Sequence, residues 1–247
     1  MCRKSIGIVV LLGFTILGFG QQGKQEGALA ARDLCLEGLR QAASPAGTEK
    51  SVPLGLKYSI LLRQPDSRYI AVDPQEKFKS GDRIRLSLEV NGAGYLYIVH
   101  RGSSGLWTGL FPPQDVSGEN HAVQKGIKYE IPAALAWAFD QHPGIEKLFI
   151  VFSRQPQPSL EGMVDSIKGG ADAQSGKPSS APGHSEKPGR VDDSLVTQMS
   201  QLYSRDLKLD TANEKDSANQ TVPAVYTVNP SGSLDAVVVK EVDLVHE

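Results

Sequence analysis

The chain has 247 residues, of which 40% are hydrophobic and 22% are charged, and its formal net charge is -2 at pH 7. This composition is typical of a globular protein with enough apolar residues for one core of sandwich size. The near-neutral charge gives no indication of the basic patch that nucleic-acid binding requires, so we expect no nucleic-acid partner.

The N-terminus has the pattern of a secretory signal peptide. Two basic residues precede an uncharged, largely apolar stretch at 5–20, and a polar segment follows. Small residues favour a cut before Gln21, which makes residues 1–20 the signal peptide, although 28–30 offers a second small-x-small site. An uncleaved anchor is the alternative, but the stretch is shorter than the ~20 residues that span a bilayer. We expect an extracytoplasmic protein, periplasmic or secreted, with no stable membrane span after cleavage.

Residues 21–51 are predicted to form a helix and a linker. Small and apolar residues recur there at helical spacing: Ala28, Ala31, Cys35, Leu39 and Ala42. Cys35 is the only cysteine that remains after signal cleavage, so no intramolecular disulfide can form. We predict that Cys35 is buried rather than reactive.

Residues 52–153 are predicted to form an antiparallel β-sandwich. RIRLSLEV, at 83–90, alternates apolar and polar residues as a strand with one solvated face does. Further candidate strands lie at 56–63, 68–72, 94–99, 106–111, 127–131 and 146–153. Short strands without long intervening helices favour sheets packed face to face, so the fold class is mainly β with a few short helices. Pro132 and the alanine-rich residues after it predict one helical turn.

Residues 154–247 are predicted to contain three parts. Pro, Gly and Ser dominate residues 154–190, which predicts a disordered insertion. Residues 191–219 are predicted to be an amphipathic helix and a linker, and 220–247 the closing strands of the sandwich. In the helix, one face carries Val191, Leu195, Val196, Met199, Leu202 and Tyr203. The alternation in the last strand changes phase, which predicts a bulge near Lys240 and Glu241.

GYLYIVHRGSSGLWTGLFP, at 94–112, carries the most conspicuous candidate chemistry. We interpret it as a hairpin that places His100 opposite Leu106, Tyr97 opposite Gly109 and Tyr95 opposite Phe111. The nucleophile elbow of a serine hydrolase, G-x-S-x-G on a strand-to-helix turn, does not fit this stretch, because its glycines are one residue too close together. The residues proposed as ligand or partner contacts are Arg101, Ser103, Ser104, Trp107 and Trp137.

The five histidines show no H-x-x-x-H or other short spacing typical of a zinc site, so we expect no metal and no cofactor. A hydrolase or carbohydrate-active site assembled from distant residues such as His100, Asp140 and His142 remains an alternative. A third possibility is a glycan-binding module that uses Trp107 or Trp137.

Residues 56–153 resemble the bacterial envelope family called domain of unknown function 4384. The shared pattern consists of Phe78, Gly81-Asp82, Gly94-Tyr95-Leu96-Tyr97, Gly105, Leu110-Phe111-Pro112, Ile131-Pro132 and Gly144-x-Glu146. The resemblance implies a β-rich module of an exported bacterial protein and brings no established catalytic residues. We therefore expect a non-catalytic interaction module of the cell envelope, whose partner is another envelope or secreted protein.

Overall fold

The computed structural model describes residues 30–40, 52–105, 107–111, 121–133, 136–162, 193–215 and 219–247. The predicted signal peptide, and residues 163–190 of the predicted insertion, lie outside the described residues. The described helices and strands are, in chain order, α1 (Ala31–Arg40), β1 (Leu54–Arg63), β2 (Tyr69–Val72), β3 (Lys77–Phe78), β4 (Arg83–Val90), β5 (Gly94–Arg101), β6 (Trp107–Phe111), β7 (Ala122–Val123), β8 (Lys128–Ile131), β9 (Trp137–Ala138), β10 (Gly144–Ser153), α2 (Asp193–Tyr203), β11 (Lys208–Lys215), β12 (Thr221–Asn229) and β13 (Val237–His246). Residues 158–162 are also helical.

The strands form two sheets, and the predicted mainly β, antiparallel sandwich is confirmed. The first sheet has the order β11-β12-β1-β4-β8, with β2 paired to β1 and β9 to β4. The second has the order β3-β13-β10-β5-β6, with β7 paired to β5. The pairs are antiparallel except β3–β13. The two predicted closing strands join different sheets: β12 lies beside β1, and β13 beside β10.

The core lies between the two sheets and is built from alternate residues of the strands. In β4 the predicted apolar face is buried: Ile84, Leu86, Leu88 and Val90 are 0–4% exposed. From the second sheet, Leu148, Ile150 and Phe152 of β10 meet them in the same cluster. Each such side chain contributes about 1.5–3 kcal/mol when it leaves water. The alternation of apolar and polar residues in the sequence therefore produces the strand faces that form the core.

Helices cover part of the outer face of each sheet. On the first sheet, α1 packs Ala31 and Cys35 against Ala224, Tyr226 and Val228. On the second, Val196 and Met199 of α2 join Leu160 in an apolar cluster with residues of β5, β10 and β13. The predicted burial of Cys35 and the amphipathic helix are confirmed. Leu202, which we placed on the buried face, is 63% exposed, so that assignment was wrong.

The predicted bulge in β13 was wrong, since β10 and β13 pair without interruption across Lys240 and Glu241. The change of phase has another cause. Val237 and Val239 face α2, whereas Val242 and Leu244 face the other sheet. Residues 237–239 of β13 are buried on both faces, whereas from Glu241 onward only the inner face is buried, so the apolar residues change sides without an extra residue.

The register of the β5–β6 hairpin also differs from the prediction. Arg101 pairs with Trp107 and His100 with Thr108, and the register shifts between Ile98 and Val99. Pairing therefore extends to Arg101, one residue beyond the His100–Leu106 pair that was predicted to close the hairpin. The glycine of the turn that adopts a positive φ is Gly105, at 81°, and its N–H donates to the carbonyl oxygen of Gly102. Glycine tolerates this left-handed conformation without a steric cost.

Three segments are more ordered, or ordered differently, than predicted. Residues 208–215 of the predicted linker form β11, a polar edge strand whose sequence KLDTANEK shows no apolar alternation. Residues 158–162 of the predicted disordered insertion are helical, because Leu160 is fully buried in the cluster beneath α2. The helical turn predicted after Pro132 is not found in 132–133 or 136–139, where Trp137–Ala138 pairs with β4 instead; residues 134–135 lie outside the described residues.

Candidate functional site

Two of the residues predicted as contacts meet at the start of α2. The indole N–H of Trp107 donates to Asp193 Oδ1 at 2.8 Å, and the Arg101 guanidinium lies 3.1 Å from Asp193 Oδ2. Trp107 is only 6% exposed, because Val196 of α2 packs in the same apolar cluster. Both side chains therefore hold α2 on the second sheet, and an external partner would reach Trp107 only if α2 moved.

Ser103 and Ser104 lie in the turn between β5 and β6. Ser104 is exposed, whereas Ser103 Oγ is buried and has no hydrogen-bond partner among the described residues. A side chain at Gly144 would come within 3.0 Å of Ser103 Cβ, so the turn lies directly on the beginning of β10. In the described part of the chain, neither serine is hydrogen-bonded to an imidazole.

Trp137 lies at the same end of the sandwich, half-buried. Its ring centroid is 3.9 Å from that of His100, and Phe139 stacks beside it at 5.8 Å. Phe139 in turn stacks on Phe78. These rings close one end of the core. The prediction that Arg101, Ser103, Ser104, Trp107 and Trp137 contact a ligand or partner stays a prediction.

The three residues suggested for a hydrolase site do not form one unit. His142 pairs with Asp140, with 3.3 Å between Nδ1 and Oδ2, and both side chains are largely exposed. The backbone N–H of His142 donates to the Asp140 carboxylate and is the main reason that the pKa of Asp140 is lowered. His100 instead binds Glu146, with 2.7 Å between Nε2 and Oε2. The suggested combination of His100, Asp140 and His142 was therefore wrong.

Glu146 is the centre of a buried polar cluster at this end of the core. The residue is 3% exposed and lies on β10, between His100 of β5 and His246 of β13. His100 Nε2 is 2.7 Å from one carboxylate oxygen, and His246 Nδ1 is 3.8 Å from the other. A buried carboxylate needs such partners, because desolvation otherwise opposes its charge.

Ser80 extends this cluster to the surface. Its hydroxyl oxygen is 3.1 Å from Nε2 of His246, and the His246 side chain is fully buried. The chain of groups is thus an exposed serine, a buried imidazole and a buried carboxylate, with a second imidazole on the far oxygen. Groups in this order can transfer a proton from oxygen to nitrogen while the carboxylate stabilises the resulting imidazolium.

The turn that carries Ser80 is held at several points. The backbone N–H of Lys79 donates to Asp82 Oδ2, and the N–H of Asp82 donates to the carbonyl of Lys79. Gly81, whose φ is 89°, donates to the carbonyl oxygen of Phe139. The position of the Ser80 hydroxyl is therefore determined by a rigid turn rather than by a free loop.

The sequence analysis missed Ser80, Glu146 and His246 as a group. One signal was present: Glu146 stands two residues before Leu148, so the alternation of β10 directs an acid toward the core, where acids are rare. Gly144-x-Glu146 was also part of the family pattern. Ser80 and His246, 166 positions apart, give no comparable local signal.

A second feature is a groove of about 500 Å³ on the outer face of the first sheet. Its floor includes two cross-strand pairs of β1 and β4, namely Lys57 with Glu89 and Ser59 with Ser87. The two serines are the small residues in the middle. Ser59 and Ser87 face each other across the two strands.

Lys57 is held in this groove by two acids. Its Nζ is 2.8 Å from Glu89 Oε2 and 3.4 Å from Glu214 Oε2. Burial alone would lower the pKa of Lys57, but the hydrogen bonds and charges of Glu89 and Glu214 outweigh burial and raise it. Lys128 and Glu130 line the groove as well, 3.7 Å apart. The groove thus offers both charge signs to a ligand.

Within the described ranges, no helix combines the length and apolar character needed to cross a bilayer. The same residues contain no group of three or more His, Cys, Asp or Glu side chains placed to hold a metal ion. The expectation of no metal and no cofactor stays a prediction.

Fold and site together define a two-sheet β-sandwich with a helix on each outer face, a buried carboxylate–histidine cluster at one end and an open polar groove. Residues 77–156 match the family model described as Domain of unknown function (DUF4384), which confirms the resemblance that the sequence pattern indicated. No curated protein and no solved structure matches the chain. The matched region includes Ser80 and Glu146, whereas His246 comes from β13 outside it.

Proposed function

We propose that this chain is an extracytoplasmic interaction module of the bacterial cell envelope that binds an extended segment of a partner protein in the groove of the first sheet. The observation that carries the proposal is the groove itself, an open concave surface over β1 and β4 that neither α1 nor α2 occupies. Its hydroxyl side chains, Ser59 and Ser87 among them, and the acids and bases at its sides suit a polypeptide that carries both charge signs.

The size and the charge of the groove favour a polypeptide as its occupant. The volume of about 500 Å³ lies in the range of ligand sites on proteins. Lys57 is neutralised by Glu89 and Glu214, so the groove exerts no strong net attraction on a polyanion. Uncharged hydroxyls in the middle and paired charges around them favour a backbone with mixed side chains over a phosphate-rich ligand.

Site-specific photocrosslinking in the native envelope tests this proposal. We expect a photoreactive residue at position 87 to give crosslinked peptides from one partner segment, and the same residue at position 198, on the exposed side of α2, to give none from that segment. Ser87→Trp would fill the groove and abolish the crosslinks formed from a neighbouring groove position, whereas Gln198→Trp would leave them unchanged.

Equal capture by the groove and α2 positions, or capture unaffected by Ser87→Trp, contradicts the proposal. A crosslinked glycan in place of a peptide would also overturn the choice of a protein partner. Export is tested separately by fractionation, where recovery of the chain in the cytoplasm would contradict the extracytoplasmic part of the proposal.

A further inference from the structure

We propose that Ser80 is a nucleophile that accepts acyl groups, with His246 as its general base and Glu146 as the residue that orients His246. This activity goes beyond the binding role of the groove, and it uses a different end of the sandwich. The substrate class is a small ester that can reach the exposed turn at 79–82.

The surroundings of His246 determine which of its ring nitrogens carries the proton. His246 Nδ1 is buried and has no hydrogen-bond partner among the described residues, and the charged group nearest to it is the Glu146 carboxylate at 3.8 Å. A proton on Nδ1 faces that negative charge, whereas a lone pair there would be repelled by it. The favoured tautomer therefore carries its proton on Nδ1.

This tautomer leaves a free lone pair on Nε2 of His246. The atom 3.1 Å away is the hydroxyl oxygen of Ser80. The serine must donate its proton to Nε2, which is the direction of transfer that activates a hydroxyl for attack. The 3.8 Å separation between Nδ1 and Glu146 is long for a hydrogen bond, but such contacts commonly shorten when substrate binds.

Aromatic rings surround the buried part of the cluster. Phe139 and Trp137 lie against His246 and His100, with centroid distances of 5.1 and 3.9 Å. They exclude water from the imidazoles and the carboxylate, which strengthens the electrostatic interaction between them. His100 donates to the second oxygen of Glu146 and so acts as a positioning residue for the carboxylate.

The proposed reaction is an acyl transfer in two stages. Ser80 Oγ forms a bond to the carbonyl carbon of the ester while its proton passes to His246 Nε2. The tetrahedral adduct expels the alkoxide, which takes the proton from Nε2 and leaves as the alcohol, and Ser80 remains acylated. Water then attacks the acyl carbon, gives one proton to Nε2, and releases the carboxylic acid as that proton returns to Ser80 Oγ. The sum is ester plus water to acid plus alcohol.

Reaction of the full chain with a fluorophosphonate probe, followed by peptide mapping, tests the proposal. We expect Ser80 to be labelled, Ser80→Ala to remove this label, and His246→Gln to slow labelling by about 100-fold. Glu146→Gln should also slow it, because its amide can favour the wrong tautomer. Ser233→Ala changes an exposed serine between β12 and β13 and should label as the unmodified chain does.

Ser80→Cys tests the same arrangement without a change to His246, in case His246→Gln does not fold. In Ser80→Cys the imidazole remains, and we expect its thiol to react with iodoacetamide about 10-fold faster than the thiol of Ser233→Cys, because a nearby imidazole favours the thiolate. Equal alkylation rates, or fluorophosphonate labelling that spares Ser80 or ignores the loss of His246 in a folded variant, would overturn the assignment.

Discussion

The indole nitrogen of Trp107 donates a hydrogen bond to the carboxylate of Asp193 at 2.8 Å, and this contact connects a strand of the second sheet to the first residue of α2. The same carboxylate pairs with Arg101. One acid thus holds the beginning of the helix that covers the outer apolar face of the sheet, at a point that follows a long stretch outside the described residues.

Asp193→Ala is expected to destabilise the chain by about 1–2 kcal/mol. The change leaves the buried indole N–H of Trp107 without an acceptor and removes an acid from a helix N-terminus. Urea unfolding followed by tryptophan fluorescence measures the effect. Gln198→Ala, on the exposed side of the same helix, is the control and should change the unfolding free energy by less than about 0.5 kcal/mol. Equal effects of the two substitutions would contradict the role of Asp193.

Gly94→Ala is expected to cost about 1–3 kcal/mol, because the added methyl group would lie 2.3 Å from the carbonyl oxygen of Ser153. Backbone of β5 and β10 would have to separate at the edge of the core. Gly162→Ala is the matched control: apart from its chain neighbours and the backbone of its own helix, no described atom lies within 4 Å of the methyl group that alanine would add, and alanine favours a helix by about 0.5–1 kcal/mol over glycine. Thermal unfolding should therefore move in opposite directions for the two variants.

The ion pairs of Lys57 predict that the unfolding free energy depends on pH in the alkaline range. Its pKa in the folded chain is raised above the ordinary value of 10.5, since the attraction of Glu89 and Glu214 exceeds the effect of burial. The stabilisation that corresponds to this raised pKa is fully present at pH values below the pKa of Lys57 in the unfolded chain. It is lost as the pH rises through the pKa of Lys57 in the folded chain. The difference in unfolding free energy between the unmodified chain and Lys57→Met should be constant up to about pH 10 and shrink above it.

A difference that stays unchanged up to about pH 12 would show that the ion pairs of Lys57 do not contribute to this dependence. Lys79→Met, which changes an exposed lysine in the turn before β4, serves as the control.

Cys35 is expected to resist thiol reagents in the folded chain. Burial raises its pKa to about 12, so little thiolate exists at neutral pH, and the side chain is 1% exposed between α1 and the first sheet. With Cys2→Ser to remove the other thiol, a disulfide reagent should modify Cys35 slowly in buffer and rapidly in concentrated guanidinium chloride. Rapid modification under native conditions would mean that α1 detaches readily from the first sheet.

The strands of the core were predictable because alternation is a local property. Ile84, Leu86, Leu88 and Val90 reveal their common face within eight residues, and the structure buries all four. However, the alternation within a strand does not predict which element packs on the outer face of the sheet. The phase change in β13 therefore suggested a bulge, while the actual cause is α2 packing on its outer valines. The polar edge strand β11 was missed for a related reason, since its pairing with β12 requires no apolar pattern.

The sequence by itself determined the two-sheet class, the family pattern around residues 77–156, the amphipathic helix and the burial of Cys35. Only the tertiary structure decided that Ser80, His100, Glu146 and His246 lie together, because these residues come from four segments whose contacts cross up to 166 positions. A hydrogen-bonded cluster of this kind depends on strand order and register. Those are set by the packing of the whole core, and no spacing of neighbouring residues encodes them.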